Sequence, residues 1–387
     1  PRNVFVVNSS IVNMTSNSGT SRKAGIFQGD IFRIEDGSHV YLENMTSFEI
    51  SNLTIGPPNK PNLATLHVSG NTEIKTKILK LGISGQIDGV GGGWSHYLSN
   101  QWAGPGAGAG ITQLTDYDNN VVTCSNNGQC SGGGSYGGPG QGQKESKEYG
   151  ENEYRFPSYL GSAGSLGVDS ANARPDSSVP WVGPWVGGPY VNPPRHPAGA
   201  GGASTHISCL TECNVNGLID FSGATGGAWD VYGRAVLKNG VPRDIRSDVD
   251  MRTSIAYCTD SDSGTPCYYR SRAENGGGGG SGGSVWITSP LISGAGSIKA
   301  NGGDGHRYHS GGAGSGGRVA LHIGSAPAFN GTLSAYGGIG TPDWDERTEN
   351  FPRNTGFGSA GTVYSEHQQN ATTRTHYLVA SVSKIYG

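Results

Sequence analysis

Short runs of alternating apolar and polar residues recur along the chain, and a glycine precedes many of them. Four segments are alike, with an aliphatic residue third and a small or apolar residue fifth. They are Gly85-Gln86-Ile87-Asp88-Gly89, Gly217-Leu218-Ile219-Asp220-Phe221, Gly296-Ser297-Ile298-Lys299-Ala300 and Gly331-Thr332-Leu333-Ser334-Ala335. Successive side chains of a strand point to opposite faces, so this period of two predicts short strands with one buried face.

A second unit recurs in the C-terminal third of the chain. Gly283-Ser284-Val285-Trp286-Ile287 resembles Gly317-Arg318-Val319-Ala320-Leu321, and Gly361-Thr362-Val363-Tyr364 is a weaker copy. The valines of the first two copies are 34 residues apart, and the third follows 44 residues later. Such repeats indicate a solenoid, in which each turn stacks its side chains on those of the next. We therefore expect one interior column that contains Ile87, Ile219, Ile298 and Leu333.

The N-terminal part fits the same architecture, with strand-like runs at short intervals and almost no helical periodicity. The runs are Val40–Leu42, Phe48–Ile50, Leu53–Ile55, Leu66–Val68 and Ile78–Leu81. Glycine clusters follow the strands of the repeat. We interpret them as turns, because glycine adopts the positive φ that a sharp bend requires. The predicted fold is therefore all-β: a single parallel β-helix (β-solenoid) domain over residues 1–387.

Two long segments interrupt the repeat. Residues 93–205 are rich in Gly, Pro and aromatic residues, and a second segment covers about 229–275. Structureless loops of this length are uncommon in compact domains. We interpret both as elaborated loop insertions of the solenoid. The aromatic residues of the first should pack on the body or on a neighbouring molecule; they are Trp94, Trp102, Tyr136, Trp181, Trp185 and Tyr190.

Composition and charge narrow the choice of function. The chain has 67 glycines, 34% hydrophobic residues and 15% charged residues, unlike an average globular domain. Its glycines lack the strict every-third-residue period of collagen. The net charge of −3 gives no electrostatic case for nucleic acid or for an anionic membrane. No apolar run approaches the roughly 20 residues that span a bilayer, and the Pro1 start suggests a mature or excised segment.

The six cysteines form three close pairs: Cys124 with Cys130, Cys209 with Cys213, and Cys258 with Cys267. An even number of cysteines at short spacing favours local disulfides in an oxidising compartment. The alternative is a metal site, since His206 precedes Cys209 and Cys213. Zinc sites usually take a second close pair of ligands, which is missing here. We therefore expect disulfides and neither a metal nor a cofactor.

N-glycosylation is the second indication of a secretory route. The acceptor pattern Asn-x-Ser/Thr occurs at Asn8, Asn13, Asn44, Asn52, Asn330 and Asn370. A chain rich in Asn, Ser and Thr produces some such sites by chance. Four of the six lie within the first 54 residues, which is denser than scatter. The predicted location is therefore secreted, on the extracellular surface.

The C-terminal third resembles the glycine-rich parallel β-helix proteins of cell surfaces and extracellular matrices. The matching segments are Gly279–Ile287, Gly296–Gly303 and Gly314–Ala320. The resemblance covers roughly residues 276–364, with weaker echoes at 83–93 and 215–227. It implies a pectin-lyase-like solenoid used for surface structure or adhesion. The two long insertions depart from the regular pattern of that family.

Many β-helix proteins cleave polysaccharides, so candidate catalytic carboxylates need weighing. Asp88 and Asp220 occupy one repeat position and should point outward on one face. Glycoside hydrolysis usually needs two such carboxylates, but aspartate beside a glycine turn commonly accepts backbone hydrogen bonds instead. Two further pairs resemble calcium ligands without a complete loop pattern, and one histidine pair lies in a glycine loop; they are Asp116 with Asp118, Asp260 with Asp262, and His306 with His309.

Three hypotheses for function follow. The first is a non-enzymatic extracellular structural glycoprotein, a subunit of a surface filament, a flagellar hair or a matrix. Its partners would be further copies of the same chain or other matrix proteins. An uncapped solenoid exposes unpaired strands at its ends, and head-to-tail contacts there would extend into a filament. The second is a β-helix polysaccharide hydrolase or lyase. The third is a carbohydrate-binding adhesin that uses exposed Trp and Tyr side chains.

Overall fold

All regular structure in the described part of the protein is β-strand. A computed structural model describes residues 3–15, 25–43, 45–57, 62–95, 104–108, 110–111, 113–115, 121–123, 130–141, 149, 153–165, 167–168, 195–196, 198–226, 237–238, 241–242, 256–259, 266–269, 277–305, 311–324, 328–340, 357–368 and 374–380. No helix occurs within these residues. The all-β prediction is therefore confirmed for the part of the chain that the structure describes.

The strands are short in the glycine-rich regions and longer in the N-terminal part. The first fourteen are β1 (Asn3–Val6), β2 (Ile11–Thr15), β3 (Gly25–Ile34), β4 (His39–Glu43), β5 (Met45–Ile55), β6 (Ala64–Val68), β7 (Asn71–Leu81), β8 (Gly85–Asp88), β9 (Gly110–Ile111), β10 (Gln113–Thr115), β11 (Val121–Thr123), β12 (Cys130–Ser131), β13 (Gly167–Val168) and β14 (Arg195–His196). The others are β15 (Ser204–Val215), β16 (Leu218–Asp220), β17 (Leu237–Lys238), β18 (Val241–Pro242), β19 (Ala256–Thr259), β20 (Pro266–Tyr269), β21 (Ser284–Ser289), β22 (Leu291–Gly294), β23 (Ser297–Lys299), β24 (Arg318–Ile323), β25 (Ala328–Phe329), β26 (Thr332–Ser334), β27 (Thr362–Gln368) and β28 (Arg374–Ala380).

Most strands belong to two large sheets, and the chain alternates between them. Sheet A has the order β1-β3-β5-β7-β15-β21-β24-β27-β28, with β22 and β25 at its side. Sheet B has the order β2-β4-β6-β8-β16-β23-β26. Neighbouring strands are parallel in both sheets except for β27 and β28, which are antiparallel. The predicted parallel pairing is therefore confirmed.

Apolar side chains line up from strand to strand between the two sheets. In sheet B, one column follows the register through Val12, Val40, Leu66, Ile87, Ile219, Ile298 and Leu333. In sheet A, another follows Phe48, Ile74, Ile207, Ile287 and Leu321. These residues are buried, apart from Val12 and Leu333 at the two ends, which are partly buried. The expected column of Ile87, Ile219, Ile298 and Leu333 is confirmed.

The cluster Gly91–Gly93 begins with a turn, as predicted, but the described glycines of the other clusters belong to packed segments, which corrects their interpretation as turns. Among the described glycines, only Gly37, Gly56, Gly70, Gly91, Gly104 and Gly294 have positive φ. The described glycines of the other clusters are largely buried and have no positive φ, as is the case for residues 277–283. A Cβ added to Gly280 would lie 2.0 Å from the carbonyl oxygen of Ala200. Glycine is required there because the backbones of neighbouring segments are too close for any side chain.

Residues 277–284 show how these segments are held together. Successive N–H groups bond to three neighbouring segments in rotation, with N···O distances of 2.8–3.0 Å. The bonds join Gly278 to Ser165, Gly279 to Gly312, Gly280 to Ala224, Ser281 to Ser162, Gly282 to Ser315 and Gly283 to Phe221. A period of three is that of the polyproline II helix, which has no internal hydrogen bonds. We call this buried bundle of hydrogen-bonded segments the glycine lattice.

From β8 onward, every connection between a sheet B strand and the next sheet A strand contributes segments to the lattice. Segments 221–226 and 277–283 connect to β16 and β21, and residues 300–305 and 311–317 lie between β23 and β24. Parts of the long 93–205 segment join the same lattice. The N–H groups of Gly161 and Gly164 bond to the carbonyls of Gly202 and Gly199 at 2.9 and 3.0 Å.

Tyr136 is the largest fully buried side chain at the junction of lattice and sheet A. Its hydroxyl lies 2.7 Å from the Ser284 Oγ, and the Arg318 guanidinium carbon lies 5.1 Å from its ring centroid. Burial raises the pKa of Tyr136 well above its ordinary value. The prediction that the aromatic residues of 93–205 pack on the body is confirmed for Tyr136. Trp94 is half-buried, and Trp102, Trp181, Trp185 and Tyr190 lie outside the described residues.

Candidate functional site

The outer face of sheet B carries a column of polar side chains. The register aligns Tyr41, His67, Asp88, Asp220 and Lys299 on consecutive strands, from β4 to β23. The alternation of each strand fixes this arrangement, because these residues lie next to the buried aliphatic ones. Asp88 and Asp220 are therefore neighbours on one outward face, as the repeat predicted.

Asp88 is held by two separate interactions. Its Oδ1 accepts the backbone N–H of Val90 at 3.0 Å, which is the turn bond expected of an aspartate in this position. Its Oδ2 lies 3.0 Å from the Nδ1 of His67. The Nε2 of His67 lies 3.1 Å from the Nδ1 of His39, and the ring of Tyr41 stacks on His67 at 4.2 Å. The Asp88 carboxylate, His67 and His39 thus form a row of side chains in consecutive contact.

Asp220 has the same turn bond and a more buried environment. Its Oδ1 accepts the backbone N–H of Ser222 at 3.0 Å and also the hydroxyl of Ser222. Burial raises the pKa of Asp220, and the neighbouring Asp88 carboxylate raises it further, while Ser222 and Lys299 act in the opposite direction. Adjacent strands are about 4.8 Å apart, close to the roughly 5–5.5 Å between the carboxyls of retaining glycosidases.

The outer face of sheet A is crossed by residues 153–160, which we call the strap. The Phe156 ring stacks on His322 at 4.9 Å and meets the edge of Trp286 at 5.2 Å. The backbone carbonyl of Arg155 lies 2.7 Å from the Nε2 of His322. These contacts fix the strap on the strands β21 and β24. The sequence held no signal for them, because the strap and its partners are more than a hundred residues apart.

Glu366 anchors the strap electrostatically. Its Oε2 accepts hydrogen bonds from the Arg155 guanidinium at 2.7 Å and from the Tyr364 hydroxyl at 2.9 Å. Burial acts to raise the pKa of Glu366, but these two bonds and the positive charge nearby outweigh it and hold the pKa at about 2. The carboxylate is therefore ionised at neutral pH and engaged with its neighbours.

A shallow groove on sheet A is lined by side chains of both charges, among them Asp30, Glu49, Lys75 and Lys77. The Lys75 amine lies 3.4 Å from Glu49 and 2.9 Å from Glu73, so its charge is compensated within the protein. The groove therefore has no excess of one charge that would select an acidic or a basic ligand.

Both edges of sheet B are open in the described part of the chain. The first strand, β2, and the last strand, β26, each have a hydrogen-bonded neighbour on one side only. Sheet A begins at β1 and ends with the antiparallel strand β28. Each open edge presents backbone donors and acceptors that can pair with another strand.

The cysteines differ in what the structure shows of them. Cys209 and Cys213 form a disulfide with their Cα atoms 5.8 Å apart, and both are buried. It spans the register shift of β15 between Cys209 and Glu212. Cys258 and Cys267 are direct partners in the antiparallel pair β19–β20. Cys130 begins β12, and its predicted partner Cys124 lies outside the described residues.

The structure describes four of the six predicted glycosylation sites. Asn8, Asn13, Asn52 and Asn330 are exposed, so an attached glycan would project into solvent. Asn44 and Asn370 lie outside the described residues. The candidate calcium ligands and the histidine pair lie outside them as well; these are Asp116, Asp118, Asp260, Asp262, His306 and His309.

Within the described ranges, no group of three or more His, Cys, Asp or Glu side chains is arranged to hold a metal ion. None of these residues forms a helix that is long and apolar enough to cross a membrane. Comparison of the chain with protein-family models, curated proteins and solved structures found no match. The resemblance to glycine-rich β-helix proteins thus stays a prediction that depends on the residues themselves.

Proposed function

We propose that this chain is a non-enzymatic extracellular structural glycoprotein and a self-associating subunit of a surface filament, a flagellar hair or a matrix. We further propose that its two large sheets are faces of one parallel β-helix. The alternation of strands between sheets A and B and the continuous apolar columns support this architecture. A rod with a repeating cross-section suits a load-bearing role better than a role that needs a closed cavity.

The observation that carries the proposal is the glycine lattice. Its segments are joined by backbone hydrogen bonds to several neighbours at once, and they are packed too closely for side chains. Such an interior leaves little room for a binding cavity and resists local deformation. The ionisable groups on the outer faces are likewise engaged, Asp88 with His67 and Glu366 with Arg155.

Self-association is tested on purified protein. We expect analytical ultracentrifugation to show species larger than the monomer that grow with concentration, and negative-stain microscopy to show elongated assemblies. A protein that stays monomeric at the highest attainable concentration would contradict the structural role. Material from the native source provides the reference, since it carries its own glycans and disulfides.

The extracellular location rests on the disulfide and on the exposed acceptor asparagines. Disulfides persist in oxidising compartments, and Asn8, Asn13, Asn52 and Asn330 are accessible to glycosylation. We expect the native protein to lose mass on enzymatic removal of N-glycans and peptide mapping to locate glycans on these four residues. An unglycosylated native protein would remove this support for secretion.

The second candidate is a glycoside hydrolase that uses Asp88 and Asp220. Their adjacent positions and the raised pKa of Asp220 favour it, since one carboxylate must act as an acid while the other stays ionised. Screening on neutral and acidic polysaccharides tests this candidate. We expect no hydrolysis, because both carboxylates accept turn hydrogen bonds. Activity that disappears in both Asp88→Asn and Asp220→Asn would favour the hydrolase instead.

A further inference from the structure

We propose that Arg318 and Thr362 bind a small monovalent anion such as chloride, between sheet A and the segments that cover its outer face. The two residues begin the adjacent strands β24 and β27 and are direct partners in the register. Both point to the outer face, because they lie four residues before His322 and Glu366, which contact the strap. The site belongs to the single copy and does not depend on self-association.

Arg318 carries a buried charge that has no carboxylate partner among the described residues. It is only 4% exposed, and a guanidinium group stays protonated in proteins. The nearby carboxylates have other partners, since Glu153 accepts the hydroxyl of Ser158 and Glu366 pairs with Arg155. A buried charge is costly unless it is paired and hydrogen-bonded. The surroundings of Arg318 therefore favour a negatively charged ligand.

Two hydrogen-bond donors at this position are buried without a partner. They are the Nε of Arg318 and the Oγ1 of Thr362. The other contacts of the guanidinium are long: its Nη2 lies 3.4 Å from the carbonyl oxygen of Tyr149, and its carbon lies 5.1 Å from the ring centroid of Tyr136. Buried donors in proteins are nearly always bonded, to protein, water or an ion. Register partners on adjacent strands are about 4.8 Å apart, so one anion can accept from both donors.

The earlier members of the same outward row are satisfied by the protein itself. The register leads from Ser204 on β15 through Ser284 on β21 to the two proposed ligands. The Oγ of Ser204 donates to the carbonyl of Ser158 at 2.9 Å, and the Oγ of Ser284 donates to that of Tyr159 at 2.6 Å. Carbonyl groups of the strap thus serve the first two side chains of the row, and the anion serves the last two.

The charge at the site selects a monovalent anion. Arg318 supplies one positive charge, so chloride makes the site neutral, whereas sulfate or doubly charged phosphate would leave a negative charge buried. Chloride also has no fixed bonding directions and accepts N–H and O–H donors alike. By bonding to Arg318 and Thr362 together, it connects β24 to β27 in addition to their backbone ladder.

Thermal unfolding in chloride tests the site. A ligand that binds only the folded state stabilises it, and the stabilisation grows with the logarithm of the ligand concentration above the dissociation constant. We expect the midpoint of unfolding to rise when sodium chloride replaces sodium gluconate at constant ionic strength. Constant ionic strength keeps the screening of surface charges the same, so that only specific binding changes. Titration calorimetry with sodium chloride then gives the dissociation constant.

Two variants and a matched control locate the response. Arg318→Met removes the charge and the Nε donor, and we expect it to abolish the response to chloride. Thr362→Val removes one donor at nearly constant volume and should raise the dissociation constant for chloride about tenfold. Arg33→Met is the control, because Arg33 lies on β3 and is 41% exposed in an ion pair with Glu35. It should keep the full response to chloride.

Each outcome bears on the anion site. A chloride response that is lost in Arg318→Met and kept in Arg33→Met supports it. An unmodified protein that does not respond to chloride, or an Arg318→Met variant that responds equally, overturns it. If circular dichroism shows that Arg318→Met does not fold, Thr362→Val provides the test, since it retains the charge. An unchanged dissociation constant for chloride in Thr362→Val would then overturn the site.

Discussion

Gly280 illustrates how a single residue determines the packing of the lattice. A Cβ at this position would meet the carbonyl oxygen and carbon of Ala200 at 2.0 and 2.4 Å, and both are backbone atoms that cannot rotate away. Overpacking of an interior costs about 1–3 kcal/mol, and more where the neighbour is rigid. We expect Gly280→Ala to lower the free energy of unfolding by about 3 kcal/mol, measured by urea denaturation.

Gly324→Ala is the matched control for Gly280→Ala. Gly324 is exposed, and an added Cβ would lie 3.1 Å from its nearest neighbour, the Cα of Pro290. Surface substitutions of this kind change stability by about 0.5 kcal/mol or less. Equal losses in the two variants would show that the lattice is not packed as described.

Glu366 connects the strap to the pH dependence of stability. Its pKa of about 2 lies below the value near 4.3 of an unfolded glutamate. A carboxyl with a lowered folded pKa stabilises the fold fully above about pH 5, and this stabilisation is lost as the pH falls toward 2. We expect Glu366→Gln to lower the free energy of unfolding by about 2 kcal/mol at pH 7, because the hydrogen bonds to the charged carboxylate are removed. The acid-dependent loss should shrink in this variant.

Glu49→Gln provides the comparison for Glu366→Gln. Glu49 also has charged and polar partners, Lys75 and Gln28, but its side chain is 30% exposed. Exposed ion pairs contribute about 0–1 kcal/mol. Denaturant titrations of both variants between pH 2 and pH 7 measure the difference. A larger pH-dependent change in Glu49→Gln would contradict the role assigned to Glu366.

The strand β23 shows what the stacking of columns contributes. Ile298 is fully buried and lies between Ile219 and Leu333 in register. Deletion of a buried isoleucine side chain down to alanine costs about 2–5 kcal/mol through lost burial and the cavity that remains. We expect Ile298→Ala to lose about 3 kcal/mol in urea denaturation, against less than about 1 kcal/mol for Ile26→Ala, whose side chain is exposed.

The strands could be predicted from the sequence because alternation leaves a direct trace in it. Val40, Leu66 and Ile87 each stand between two residues with polar groups in their own strand, and the buried face follows from that alternation. The stacking of Ile87, Ile219, Ile298 and Leu333 in one column followed from the repeat. The register shift of β15 between Cys209 and Glu212 left no comparable trace, since it depends on how neighbouring strands meet.

The glycine lattice could not be predicted in the same way. Its segments have hardly any side chains, so the hydrogen-bond period of three leaves no hydrophobic pattern. A usable signal was present in another form: a run of only Gly, Ala and Ser precedes each of the sheet A strands β15, β21, β24 and β27, as in 277–283 and 311–317. Several such runs in one chain indicate backbones that pack against each other. The strap contacts of Arg155 and Phe156 left no local signal.

The chain as a unit combines two kinds of order in continuous segments. At Phe221, Gly223 and Gly226, successive N–H groups bond to the next layer at Lys299, Asn301 and Asp304. The spacing changes from two residues to three along this one segment, so the strand pattern passes directly into the lattice pattern. Each layer of the sheets thereby fixes the position of a layer of the lattice, which aligns both along one direction.

This continuity predicts that the lattice is as protected from solvent as the sheets, although it contains no strands. Residues 277–283 are buried, and each N–H from Gly278 to Gly283 is bonded to another segment. Hydrogen exchange requires these bonds to open, and a buried bundle opens only with its neighbours. We expect a peptide covering 277–283 to exchange as slowly as one covering β21, by mass spectrometry. Exchange within seconds would show that the segment is solvated and that its glycines serve as a linker.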